Sequence, residues 1–191
     1  MDIIEKLDQI EIIIKDPNFI ENKGLGNEVG YYIFDYPPRY ELKVRNYIKE
    51  IKNRNNINRD GFEIVIYDVY DIMIDLIEEE NLIEDCIEFE KNETMEYLVE
   101  SVNGLMNMDR DRNYFVDYVE NNTPEKAVVF IIGVGKIFPF VRSHKILNSL
   151  HQMFDRLPVV LFFPGKYDSQ ELTLFELFKD DNYYRAFPLV R

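Results

Sequence analysis

Residues Phe130 to Asn148 read FIIGVGKIFPFVRSHKILN, and this stretch decides the fold. An apolar run stops at Gly133-Val134-Gly135. A short apolar turn around Pro139 follows, and Arg142, Ser143 and His144 then open a new helical pattern. Glycine just past a buried strand lets the backbone turn sharply or approach a ligand closely. Basic and hydroxyl side chains at the next helix start face the same crevice. The segment is a strand–turn–helix unit.

Working outward, the same alternation recurs. Val29 to Tyr36 is almost all apolar, as expected for a strand buried on both faces, and Pro37-Pro38 stops it. Phe62 to Tyr67 reads as a second strand, Ala127 to Gly133 as a third and Pro158 to Phe163 as a fourth, with a last one around Tyr184–Leu189. Helical periodicity fills the intervals. Ile3, Leu7, Ile10 and Ile14 share one face; Leu42, Val44, Tyr47, Ile48 and Ile51 another; Val69, Ile72, Met73, Leu76 and Ile77 a third. Further helices are expected around 93–106, 112–121, 143–156 and, briefly, 170–178, the last opened by Asp168 as N-cap with Glu171 closing a capping box. Gly24 to Gly26 is read as a loop. Alternating strands and helices with continuous apolar strands predict an α/β fold: three layers, a mainly parallel sheet of about five strands, and helices on both faces. Residues 1–191 are expected to form one α/β domain, with 1–25 as an N-terminal helix and loop and 82–124 as a helical insertion.

Composition narrows the function. The chain has 36 acidic and 22 basic residues, a net charge of −14, which is the wrong long-range field for DNA. No apolar stretch approaches the length of a membrane span. Acidic residues among the first isoleucines argue against a secretion signal, and Cys86 stands alone. A cytoplasmic protein without disulfides or membrane contact is expected.

The Gly133-Val134-Gly135-Lys136 run invites comparison with a phosphate-binding loop. That motif needs a glycine where Phe130 stands and a hydroxyl residue where Ile137 stands. A dinucleotide fingerprint would need a third glycine at Phe138. Neither motif is present.

Read with its neighbours, the segment becomes specific. Gly133-x-Gly135, Pro139-Phe140-x-Arg142-Ser143-His144-x-x-Leu147-Asn148, the run Pro158 to Asp168, and Asn182-Tyr183-Tyr184-Arg185-Ala186-Phe187 follow in order, after Gly26-Asn27-Glu28 and Tyr32 to Tyr36 upstream. In this order and spacing the chain resembles the BrxB family, small proteins of the BREX bacteriophage-exclusion systems. The resemblance covers nearly the whole chain, strongest from Ala127 to Phe187 and thinnest from Leu82 to Lys126. It implies a core like that of the P-loop NTPases or Rossmann proteins but without a Walker A loop, and a role in phage defence. The family setting includes a large ATPase, a DNA methyltransferase and a PglZ-type protein of the alkaline-phosphatase superfamily. The resemblance therefore implies a protein partner among them, the PglZ-type protein first, and it brings no established active site.

Candidate binding residues cluster where such sheets bind ligands, beyond the carboxyl ends of the strands. They are Asp35, Asp68, Gly133, Gly135, Arg142, His144 and Arg185. Asp35 and Asp68, two aspartates at neighbouring strand ends, would suit magnesium and a phosphotransfer or nuclease enzyme. Against this, Asp68 is placed to cap the helix that starts at once. Arg142 and Arg185 are read first as internal salt-bridge partners of Asp35 or Asp68, and otherwise as an anion or protein contact. His144 and His151 lie on one helix about 10 Å apart, too far to share a metal, and are placed on its polar side. A Ser143-His144-Asp35 triad fails because adjacent helical side chains diverge. The reading is a non-catalytic binding component with no cofactor and no metal. Its rivals are the Asp35–Asp68 enzyme and a nucleotide sensor using Gly133 to His144.

Overall fold

The computed structural model describes residues 2–20, 30–110, 112–153, 156–180 and 186–190. The chain opens with helices α1 (Ile3–Ile14) and α2 (Pro17–Ile20), followed by strand β1 (Tyr31–Tyr36). After a 3-10 turn at Pro38–Tyr40 come α3 (Glu41–Arg54), α4 (Ile57–Asp60) and β2 (Glu63–Asp68). Four helices then run in succession: α5 (Val69–Glu79), α6 (Ile83–Asn92), α7 (Met95–Leu105) and α8 (Tyr114–Asn122). Strand β3 (Ala127–Ile132), α9 (Val134–Ile137), α10 (Ser143–Met153) and β4 (Val159–Tyr167) follow. Short strands β5 (Leu172–Leu174), β6 (Phe178–Asp180) and β7 (Phe187–Pro188) end the described chain.

The sheet runs in the order β2-β3-β4-β1-β7, and every pair along this path is parallel. Strand residues divide strictly between its two faces, because successive side chains of a strand point to opposite sides. Val129, Ile131, Val159, Leu161, Ile33 and Phe163 belong to one core, with α5, α7, α8 and α10. Val128, Phe130, Val160, Phe162, Phe34 and Tyr36 belong to the other, with α1 and α3. The central strands are buried on both sides, which is why they read as unbroken apolar runs. From β1 the chain crosses to the far edge of the sheet through α3, then returns through β3 and β4 toward β1 on the other face. This reversal places helices on opposite faces, as crossovers of a single hand require.

Several elements depart from the sequence reading. Helix α6 was not anticipated. Its apolar residues Ile83, Cys86, Ile87 and Phe89 are scattered among glutamates, and none is fully buried. The helix expected near Gln170–Phe178 is instead the β5–β6 hairpin. Strand β4 continues past Phe163 to Tyr167 and pairs antiparallel with β5, Lys166 opposite Thr173 and Tyr167 opposite Leu172. The Asp168 carboxylate accepts from the Gln170 and Glu171 amides, at 3.0 and 2.8 Å, and turns the chain into a strand rather than capping a helix. Leu172-Thr173-Leu174 alternates in and out, the period of a strand. The Gly24–Gly26 loop and the start of the first strand at Val29 fall outside the described residues. So does the opening of the expected last strand, of which Phe187–Pro188 pairs with β1.

Candidate functional site

Asp68 closes β2 and caps α5, its Oδ1 accepting from the Tyr70 amide at 3.1 Å. The same carboxylate forms an ion pair with Lys136 on α9, which also reaches Asp71 at 3.1 Å and lies 5.2 Å from the Tyr70 ring centroid. Burial works against the charge on Lys136. The carboxylates of Asp68 and Asp71 outweigh it and hold the lysine above its ordinary pKa. Gly133 has φ +86°, and a Cβ there would stand 2.1 Å from Asp68 Oδ1. A Cβ on Gly135 would meet the Phe175 ring at 2.9 Å and Pro164 at 3.0 Å. The Gly-x-Gly-Lys run is therefore shaped around the protein's own groups: Gly133 admits the Asp68 carboxylate, Gly135 admits the hairpin, and Lys136 neutralises the helix cap.

Replacing Lys136 by methionine should cost stability, because it strands the Asp68 carboxylate in a partly buried position. With about a quarter of the lysine side chain exposed, solvent softens the loss. A decrease of about 1–2 kcal/mol is expected in chemical unfolding. An unchanged midpoint would show that the pair contributes nothing.

Asp35 is held in the same manner by a different lysine. Lys6 Nζ donates at 2.6 Å both to Asp35 Oδ1 and to its carbonyl, and the Tyr167 amide donates to Oδ2 at 3.1 Å. The carboxylate thus stitches α1 to β1 and to the extension of β4.

The two aspartates do not lie on neighbouring strands. β3 and β4 stand between β2 and β1, so three interstrand spacings separate them, about 14 Å. Oxygen ligands of one magnesium ion lie within about 4–5 Å of each other. The pair cannot share an ion, and the sequence could not reveal this because strand order is absent from it. Among the described residues, no three His, Cys, Asp or Glu side chains converge as a metal site.

Arg142 does not form the expected internal salt bridge. It is exposed, and Asp35 and Asp68 are paired with the two lysines instead. Its side chain lines a cavity of about 240 Å³ between the turn that follows α9 and the β5–β6 hairpin, together with Phe138, Phe163, Leu174, Phe178 and Lys179. Phe138 packs on Phe178 at 4.8 Å between ring centroids, and Lys179 pairs with Glu171 at 2.8 Å. The hairpin turn forming one wall carries Phe175 at φ +54° and Glu176 at φ +62°, a conformation costly for bulky side chains. Leu177 at its tip is 77% exposed.

His144 is half-buried at the start of α10. His151 turns inward and stacks on the buried Tyr31 ring at 4.8 Å, so it does not lie on a polar face as expected. Arg185 lies outside the described residues. The expected site thus divides: Asp68, Gly133 and Lys136 form one cluster, Asp35 and Lys6 another, and Arg142 a third environment. Sequence reasoning missed Lys6 and the hairpin wall, and the one available signal was the alternation at Leu172–Leu174.

Parallel strands, covered faces, and a Gly-Lys turned onto an internal carboxylate rather than opened toward a phosphate define an α/β protein with an open, mainly parallel sheet and no phosphate loop. The family model described as BREX protein BrxB matches residues 65–189. A BREX protein BrxB of Bacillus cereus (strain H3081.97) is 42% identical over 188 residues, covering 98% of this chain and 97% of the relative. One of Escherichia coli O9:H4 (strain HS) is 32% identical over 187 residues, covering 97% and 90%. The chain belongs to the BrxB family. No solved structure matches it. Among the described residues, no helix is long and apolar enough to cross a membrane.

Proposed function

We propose that this chain is a non-catalytic component of a BREX-type phage-defence system and acts by binding another protein of that system. The first candidate is the PglZ-type protein of the alkaline-phosphatase superfamily. One observation carries the reading: both strand-end carboxylates are engaged by lysines of the chain itself, Asp35 by Lys6 and Asp68 by Lys136. A metal-dependent or phosphate-handling site at this edge would require those groups to face a ligand. Membership of a family whose relatives carry the name BREX protein supports the placement in that system. A net charge of −14 suits encounter with a basic protein surface and opposes encounter with nucleic acid.

The test is co-expression with each protein of the same system, followed by measurement of mass in solution at low and high ionic strength. A stable complex with the PglZ-type protein is expected at low salt, weakening as salt rises because exposed charges are screened. Separate elution from every protein of the system at low salt, with this chain shifting duplex DNA instead, would overturn the reading.

A further inference from the structure

The negative charge of this protein is gathered in one place. Residues 71–100 contain twelve acidic side chains and a single basic one, Lys91, so they account for −11 of the total −14. The rest of the chain is close to neutral. All twelve acidic residues are exposed. Among the described residues only Asp71 of the twelve pairs with a cation, Lys136, while Glu79 accepts from the Tyr114 hydroxyl at 3.3 Å.

These carboxylates ride on α5, α6, α7 and their joints, and the middle helix is weakly held. No residue of α6 is fully buried. It is anchored by half-buried Ile83, Cys86 and Phe89, the last meeting Tyr97 of α7 edge-on at 5.1 Å. The outer surface of these helices also exposes large apolar side chains: Ile87 is 44% exposed, Met95 48% and Tyr97 46%. Most helical stability comes from packing an apolar face, and α6 has little of it. Like charges four residues apart destabilise a helix. Asp71 and Asp75, Asp75 and Glu79, Glu84 and Glu88, and Glu96 and Glu100 are such pairs. This arrangement of charge works against the stability of the isolated chain.

We propose that the outer face of α6 and α7 is the docking surface for a partner protein that presents lysines and arginines around an apolar centre. This rests on the reading that the chain acts by binding a protein. The sign of the charge selects the occupant. Nucleic acid and anionic membrane carry the same sign as this acidic arm, residues 71–100, and a second copy would set one strongly acidic face against another. A basic protein surface gains attraction at long range and, at contact, covers Ile87, Met95 and Tyr97. The glutamates set encounter and register, and the apolar residues supply the desolvated centre.

The experiment compares the wild-type chain with two charge-reversed variants, each co-expressed with the protein of the system that co-elutes with wild type. In the arm variant Glu84→Lys is combined with Glu88→Lys; in the control Glu50→Lys is combined with Glu125→Lys, which changes net charge equally at exposed positions off the arm. A third variant, Glu84→Gln with Glu88→Gln, removes charge without reversing it, and melting curves confirm that each is folded. The arm reversal should weaken binding by at least tenfold at low salt, the neutral variant by less, and the control by under about threefold. Equal weakening by arm and control variants would overturn the assignment of the surface, as would wild-type affinity in a folded arm variant. In both cases the protein-binding reading would stand. A wild-type chain that co-elutes with no protein of the system would overturn that reading, and the surface with it.

Discussion

Replacing Gly133 by alanine will destabilise this protein by about 3 kcal/mol or more, through two effects that add. The backbone at Gly133 is left-handed, and an L side chain there costs about 1–2 kcal/mol. The new Cβ would also stand 2.1 Å from Asp68 Oδ1, a distance no structure tolerates, so the carboxylate must leave. Its departure removes the cap on α5, worth about 0.5–2 kcal/mol, and breaks the pair with Lys136. Gly61 is the internal comparison. It has φ +79°, and a Cβ would meet nothing within 4 Å. Gly61→Ala should therefore show the backbone cost alone, about 1–2 kcal/mol. Equilibrium unfolding of both variants in urea measures the difference. Equal losses at the two positions would mean that Asp68 does not occupy the space the glycine leaves.

Truncating Phe162 to alanine should cost about 3–5 kcal/mol, the range for a fully buried aromatic residue. Phe162 sits on the central strand β4. It packs between Phe130 on β3, at 4.9 Å between ring centroids, and Phe34 on β1, at 5.5 Å. The three rings form a row across the sheet beneath α1 and α3. Removing the middle ring opens a void against two strands at once, and neighbours held by parallel pairing cannot close it. Leu177→Ser at the exposed hairpin tip should lie within about 0.5 kcal/mol of wild type. If Phe162→Ala melted as close to wild type as Leu177→Ser, this face of the sheet would not be packed as described.

The contrast between the two glycines shows how far a local reading reaches. That Gly133 ends a strand and turns the chain is written in the residues around it. That it must be glycine because Asp68 fills the space beside it is a contact across 65 positions of sequence, between the ends of two adjacent strands. Gly135-Lys136 resembles the end of a phosphate motif whose other positions, Phe130 and Ile137, do not fit. The partner of Lys136 proved to be the carboxylate that caps α5.

The charge distribution runs the other way. The crowding of acidic residues between Asp71 and Glu100 is visible in the chain alone. Only the structure shows that they all face solvent, on helices and their joints with few internal partners, and that large apolar side chains are exposed among them.

What the sequence determined was what the longer periodic runs carry. The apolar runs of β1 to β4 announce strands covered on both faces. The 3.6-residue stripes of α1, α3, α5 and α10 announce helices, and Asp68 ahead of Val69 announces a cap. Tertiary structure alone decided the strand order that parts Asp35 from Asp68, the lysines that claim each of them, and the fate of residues 170–178. In that last segment Leu, Glu and Phe carry an ambiguous local preference. Hydrogen bonding to the extended end of β4 outweighed it, because a paired strand satisfies backbone groups that β4 would otherwise leave open.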